Sequence, residues 1–320
     1  MKRILYSIVA VSMIFFSCSK HNNPTPPPTG KKYTVKFNVG FSQSIGPITN
    51  SITKTSGIKT DAIDTATDTL KNYTGILYYV VFDSNQHIVR NISQKAADAD
   101  YGTITDQLLP GTYTVLFAAG EAHLKADVYG SAGQLTNAFY YEGFTSPYVN
   151  PNDNFFPPFF ANTFYKKMSI TVGNSNANYS VNLDRMVAQL EVVVQDAIPA
   201  GAKDLTIYVP GDASALAMLD LTVANTGNYF YPFTGLTAGV TNTIEFVTVA
   251  NTSTPLNIEL KCTDGASTVF ADKTITGVTF KTGSTTVLTG NLFSAGTTGQ
   301  GFNVTYDPTW NVGTPTTIHF

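Results

Sequence analysis

The chain has 320 residues, of which 43% are hydrophobic, 12% aromatic and only 13% charged, a composition that excludes a disordered polymer and a charged helical bundle alike. Nineteen basic against 22 acidic residues leave a net charge of −3, so no basic surface is available for a phosphate backbone and nucleic acid is excluded as a partner. Two cysteines are too few for a disulfide framework, and their positions matter more than their number.

Met1, Lys2 and Arg3 form a positive start, and Ile4 to Phe16 is an apolar run broken only by Ser7 and Ser12. This is the layout of a secretory signal peptide. In Phe15-Phe16-Ser17-Cys18 a small residue stands directly before a cysteine, which resembles the lipobox of bacterial lipoproteins, with an aromatic pair where Leu is usual. Residues 1–18 are therefore read as a lipoprotein signal peptide with Cys18 as the lipidated residue; the competing reading is an ordinary signal peptide with an incidental cysteine. Residues 19–31, with Pro24, Pro26, Pro27 and Pro28, read as a semi-rigid tether lifting a domain off the membrane.

Beyond the tether the hydrophobic period is two. Tyr33, Val35, Phe37, Val39 and Phe41 alternate with polar residues or glycine, as a half-buried strand requires. The stretch Ser51 to Asp68 is polar. Ile76 to Phe82 is an apolar, aromatic strand closed by Asp83-Ser84-Asn85, and Leu108-Leu109-Pro110-Gly111 is a turn that launches Tyr113, Val115 and Phe117 on one face. Leu205 to Val209, Leu256 to Cys262 and Phe302 to Tyr306 alternate in the same way. The fold class is therefore all-β with antiparallel sheets. Two stretches break the pattern, Ala118 to Gln134 and Ser214 to Ala224, and each has room for a short helix. Cys262 alternates with Leu256, Ile258 and Leu260, which predicts a small buried core residue rather than a reactive thiol.

From Asn137 to Tyr165, Phe155, Phe156, Phe159, Phe160 and Phe164 lie among Pro147, Pro151, Pro157 and Pro158. Proline at that density rules out a central strand and leaves two readings: an ordered loop whose aromatics cover a sheet, or an exposed patch for a protein or sugar. A boundary falls near residue 180, giving an N-terminal β-sandwich domain over 32–180 and a C-terminal one over 181–320. Within the long strand signal Val181 to Val194 the apolar face switches from odd (Val181, Leu183) to even positions (Met186 to Val194), which predicts a one-residue bulge near Asp184-Arg185.

The run Val181-Asn-Leu-Asp-Arg185-Met-Val-Ala-Gln-Leu190, followed by Asp196, Pro199 and Gly201, resembles the start of the second domain in the fimbrillin families of Bacteroidetes, the fimbrial subunits and their anchor proteins. Leu77 to Asp83, Leu108-Leu-Pro-Gly111-Thr-Tyr113 with Ala118-Ala-Gly120, and Leu288-Thr-Gly-Asn-Leu-Phe293 extend the resemblance over most of residues 32 to 320, and Gly111, Tyr113 and Arg185 are its structural signature. It implies two tandem transthyretin-like antiparallel β-sandwiches, partners that are other fimbrial subunits held by donor-strand pairing, and attachment to the outer membrane, exposed at the cell surface, through lipid on Cys18. Shaft subunits of such families resemble precursors cut by an arginine-directed protease. The arginines here are Arg3, Arg90 and Arg185, none conveniently placed to release the first strand; an anchor that keeps its lipid fits better, or a different protease acts near Lys54 or Lys59. Asp64-Thr65-Ala66 and Asp68-Thr69-Leu70 resemble O-glycosylation acceptor sites of the same bacteria, at Thr65 and Thr69. As plain structure, Arg185 reads as a bulge-site side chain paired with carboxylate or carbonyl groups.

Catalytic motifs are missing: there is no Gly-x-Ser-x-Gly, His-Glu-x-x-His, Cys-x-x-Cys or phosphate loop. His21, His87, His123 and His319 lack metal-ligand spacing, and Glu121, Glu142, Glu191, Glu245 and Glu259 are scattered, with Glu191 and Glu259 in the polar phase of strands. Asp98-Ala-Asp100 and Asn150 to Asn154 carry oxygen ligands suited to calcium but not in an EF-hand pattern. No enzyme activity, metal or cofactor is expected. Two functions remain: a lipid-anchored fimbrial subunit, or an outer-membrane glycan-binding lipoprotein using exposed aromatics, for which the single tryptophan, Trp310, is a poor endowment.

Overall fold

The computed structural model describes residues 30–41, 52–54, 70–127, 137–141, 163–234, 236–239, 242–249, 251–294 and 301–308. The strands in chain order are β1 (Tyr33–Phe41), β2 (Ile52–Lys54), β3 (Ile76–Phe82), β4 (Ile88–Lys95), β5 (Thr103–Leu108), β6 (Gly111–Gly120), β7 (Leu124–Asp127), β8 (Ala138–Tyr141) and β9 (Phe164–Val172). They continue as β10 (Ala177–Arg185), β11 (Val187–Val194), β12 (Asp204–Ala217), β13 (Val223–Thr234), β14 (Asn242–Val249), β15 (Asn251–Thr263), β16 (Val269–Phe280), β17 (Thr285–Gly290) and β18 (Phe302–Asp307). One helix, α1 (Leu70–Tyr73), is found among the described residues; it is a single turn whose Leu70 is buried.

The first sheet runs β4-β3-β6-β9-β10-β1-β5 and folds over on itself. β9 and β10 pair only at Asp184↔Tyr165 and Arg185↔Phe164, so β4-β3-β6-β9 and β10-β1-β5 form two layers joined at that corner. Between them Phe37 of β1 meets Tyr79 of β3 at 5.4 Å and Phe117 of β6 at 5.2 Å between ring centroids, inside a core that also holds Val35, Leu77, Val115 and Leu183. A second core lies between β18-β17-β11-β14-β2 and the sheet that contains β13, β12, β15 and β16, with Leu190, Val192, Ile207, Tyr231, Leu260, Cys262 and Leu288 in it. The pairing is antiparallel except for β1 with β10 and β11 with β17, which are parallel; both join strands far apart in sequence, as parallel neighbours must.

β3 is buried on both faces, and that creates a third core. Leu77, Tyr79 and Val81 point into the first one, while Ile76, Val80 and Phe82 pack with Leu116, Leu124, Phe139, Ala213, Leu216 and Met218. β7 and β8 extend the sheet of β12 through pairs such as Leu216↔Phe139, and β2 pairs with β14 at Ile52↔Ile244, so strands from before residue 142 join sheets built after residue 187. β12 serves two cores because a bulge at Gly211, with φ +73°, interrupts its register with β13 between Pro210 and Asp212.

Three local expectations are corrected. The face switch near Arg185 is not a bulge within one ladder: β10 ends at Arg185, Met186 stands between strands, and β11 starts in a different sheet with different partners. Odd residues of β10 face the first core and even residues of β11 face the second. The stretch Ala118 to Gln134 holds the end of β6 and all of β7 in its described part, and Ser214 to Ala224 holds the end of β12, a turn with Leu221 at φ 57°, and the start of β13. Ladder partners on both sides override helix propensity there. The polar stretch Ser51 to Asp68 contains β2, which its sequence does not announce.

Candidate functional site

Among the described residues no three His, Cys, Asp or Glu side chains come together as a metal site would require. The Asp83 carboxylate accepts bonds from the backbone N–H of Asn85 and His87, each at 2.9 Å, and closes the β3–β4 turn. Asp98 does the same for the N–H of Lys95 at 2.7 Å. Cys262 is fully buried and unpaired; burial, followed by the negative charge of Asp204, pushes its thiol up to about 11, which suits packing and not nucleophilic work. Cys18, Thr65, Thr69, His21, His319, Glu142, Asn150 to Asn154 and Trp310 lie outside the described residues.

β1 is the first strand after the tether and occupies the middle of its layer. Its register is parallel to β10 from Val35↔Ala177 to Phe41↔Leu183 and antiparallel to β5 from Tyr33↔Leu108 to Asn38↔Thr103. Val35 and Phe37 are fully buried, and Phe37 also stacks on Tyr179 at 5.2 Å. Removing this strand would therefore open both a groove in the layer and a hole in the core.

The open side of the sandwich, where β4 and β5 are the terminal strands, is stitched by side chains. Arg90 Nε of β4 donates to Asp106 Oδ1 of β5 at 3.0 Å, and the Tyr79 hydroxyl donates to Asp106 Oδ2 at 3.2 Å. Burial, then the charge of Asp106, holds the Tyr79 hydroxyl well above the usual phenol range. Gln94 of β4 donates to the Thr103 carbonyl at 2.8 Å and accepts from the Gly102 N–H at 3.0 Å. Arg90 thus lies in an edge strand, tied to a buried carboxylate.

Arg185 ends β10 at the corner where the two layers meet. It is buried, and its guanidinium sits over the ring of its cross-strand partner Phe164, 5.5 Å from the centroid. Phe41 packs on Phe164 at 4.7 Å and on Tyr73 at 5.9 Å, completing an aromatic corner. Burial presses the Arg185 pKa downward and Tyr73 opposes that shift; the group remains a cation at neutral pH.

Tyr113 folds its hydroxyl back to the Leu109 carbonyl at 3.0 Å, a tyrosine corner that pins the turn before β6. A methyl group placed on Gly111 would meet the Tyr113 ring at an ordinary contact distance of 3.5 Å, so nothing in the packing there demands glycine. A closure that sequence reasoning missed lies at the end of β11. Asp196 accepts from the N–H groups of Leu292 at 2.7 Å, Phe293 at 2.8 Å and Ser294 at 2.6 Å, and from the Ser294 hydroxyl at 2.8 Å. Burial alone would raise its pKa, and these bonds outweigh burial and hold it below the usual carboxylate range. Two segments quoted separately from the sequence, Asp196 and Leu288 to Phe293, are one structural device.

The described residues form a β protein closed by side-chain latches such as Asp196 and Arg90–Asp106. Among curated proteins none matches in sequence. In fold, the chain is similar to the fimbrial anchor protein Mfa2 from Porphyromonas gingivalis, with a TM-score of 0.50 and 12% identity over 81% of this chain and 91% of that one. It is similar to a candidate adhesin from Bacteroides thetaiotaomicron, with a TM-score of 0.50 and 10% identity over 89% and 98% of the two chains. A candidate polysaccharide-binding protein from the same organism gives 0.50 and 10% over 82% and 92%. The family model for fimbrillin-A associated anchor proteins Mfa1 and Mfa2 matches residues 31–291, most of the chain, and the protein belongs to that family.

Proposed function

We propose that this chain is an anchor or assembly subunit of surface fimbriae, held in the outer membrane by lipid on Cys18 and joined to other subunits by β-strand addition, with a structural and not a catalytic task. The observation that carries the reading is the family match over residues 31–291, preceded in sequence by Phe15-Phe16-Ser17-Cys18, which resembles a lipobox, and by a proline-rich stretch. The placement of β1 directly after the tether, paired on both sides, supports a strand that is retained and carries the attachment. The reading includes two transthyretin-like sandwiches divided near residue 180, display on the outer leaflet, and glycan on Thr65 and Thr69. Intact mass and lipid analysis of the protein purified from its own outer membrane test it. Acylated Cys18 on an uncleaved chain with other fimbrial subunits attached is the expected result; a chain cut between Ser51 and Arg90 would make it a strand-exchanged shaft subunit.

One observation favours a second reading. Tyr208 and Phe230 stack at 4.3 Å between centroids, 18° from parallel, and Phe230 is 43% exposed, which with the similarity to a candidate polysaccharide-binding protein supports glycan capture. A glycan panel that raises the melting temperature of a partnerless lipoprotein would favour it.

A further inference from the structure

In the sheet β18-β17-β11-β14-β2, three polar side chains stand in one row across neighbouring strands. Leu190 and Val192 of β11 and Leu288 of β17 enter the second core, and Phe302 and Val304 of β18 pack against it, so Gln189, Thr285 and Asp307 lie on the sheet's other face. The register sets Gln189 opposite Thr285 and Thr285 opposite Asp307, and directly opposed residues have β-carbons about 5 Å apart. Gln189 and Thr285 are buried and Asp307 is half-buried. The Thr285 hydroxyl donates to Gln189 Oε1 at 2.8 Å, and Asp307 stands on its other side. All three are held by paired strands rather than by loops.

The row holds a nucleophile, an acyl group and a base. A hydroxyl on a backbone carbonyl, such as Thr286 on Thr279 at 2.9 Å, could attack only by cutting the chain, whereas a side-chain carboxamide can lose its nitrogen and leave the chain whole. A hydroxyl becomes a competent nucleophile when a neighbouring base takes its proton, and a carboxylate within hydrogen-bond reach does so. Attack of Thr285 Oγ1 on Gln189 Cδ forms a C–O bond and breaks the C–N bond; the hydroxyl proton passes through Asp307 to the nitrogen, which leaves as ammonia. One hydroxyl and one primary amide give one ester and one ammonia, with no oxidant, reductant or cofactor. Burial of both partners keeps water from the ester once it has formed. The two residues are 96 positions apart, so the bond closes the chain between β11 and β17 into a ring that contains β12 to β16. Tension entering at β11 then crosses to β17 through a covalent bond.

We propose that Thr285 and Gln189 are the site of an intramolecular ester cross-link, with Asp307 as the proton acceptor that forms it. The test is peptide mapping of the wild-type protein purified from its own cells, which depends on no variant folding. Trypsin cuts after Arg185, Lys203 and Lys281. The expected product is peptide 186–203 joined to the peptide that begins at Thr282, lighter than their sum by one ammonia and parted by hydroxylamine. On a denaturing gel after boiling, the ring-closed wild type should run ahead of Thr285→Val and lose that lead after hydroxylamine. Thr285→Ser, which keeps the nucleophile, should keep the linked peptide; Thr285→Val and Asp307→Asn should lose it and give the two peptides separately. Two separate peptides of full mass from the wild type overturn the cross-link and leave a hydrogen bond in its place. A linked peptide from Thr285→Val overturns Thr285 as the nucleophile, and one from Asp307→Asn overturns Asp307 as the base.

Discussion

Replacing Asp196 should unlatch the turn after β17. Its carboxylate receives three backbone N–H groups and one hydroxyl at 2.6–2.8 Å, and hydrogen bonds to a charged group contribute about 1.5–3 kcal/mol each when fully buried. Asp196 is only half-buried and Ser294 is exposed, so the set is worth about 2–3 kcal/mol in total, near the upper range of a helix N-cap. Asp196→Asn keeps one acceptor but turns an amide toward the donors, and should cost about 2 kcal/mol; Asp196→Ala should cost about 3 kcal/mol. The folded carboxyl is held below its unfolded value, so as pH falls the unfolded chain takes up the proton first. The stability from this group is therefore complete above about pH 4 and lost as pH falls through the folded value. Urea unfolding of wild type and Asp196→Asn at pH 7, and again on acidification below pH 4, measures both effects. A pH 7 difference under about 0.5 kcal/mol, or one that does not shrink in acid, would refute the latch.

Four further outcomes are expected. Phe37→Ala empties the centre of the first core and should destabilise by about 3–5 kcal/mol in thermal or urea unfolding. Tyr113→Phe removes the bond to the Leu109 carbonyl and should cost about 1 kcal/mol by the same measurement. Arg185→Ala should cost about 3 kcal/mol by exposing the aromatic corner, and Arg185→Met, which refills it, should cost less. Cys18→Ser, on the lipid-anchor reading, should move the protein from the membrane pellet to the soluble fraction after cell lysis.

The strands whose side chains alternate were legible in sequence, because period two follows directly from one buried face: β1, β6 and the start of β12 stand where Val35, Val115 and Leu205 put them, and β3, buried on both faces, was legible as the unbroken apolar run Ile76 to Phe82. The tyrosine corner could have been found from Leu109 and Tyr113, since the spacing of a turn and its returning tyrosine is local. The Arg185 phase switch was visible but its cause was not; one bulge and one change of sheet produce the same odd-to-even pattern. Asp196 and the 292–294 turn are separated by nearly a hundred residues, and no local pattern announces that a carboxylate will meet three N–H groups. The two apparent helices failed for a related reason: Ala118 is held in the ladders between Tyr78 and Tyr165, and Leu216 between Phe139 and Val223.

The position of β1 decides how the protein bears load. A pull delivered at Tyr33 from the N-terminal side runs along the strand axis, and the bonds to β10 from Val35 to Phe41 and to β5 from Tyr33 to Asn38 resist it together, in shear. An edge strand loaded across its axis would instead peel one pair at a time. Since rupture under force is governed by the unfolding rate, the same number of hydrogen bonds withstands far more tension in this geometry, with Phe37 as a plug that must be dragged out of its aromatic socket before the strand can slide.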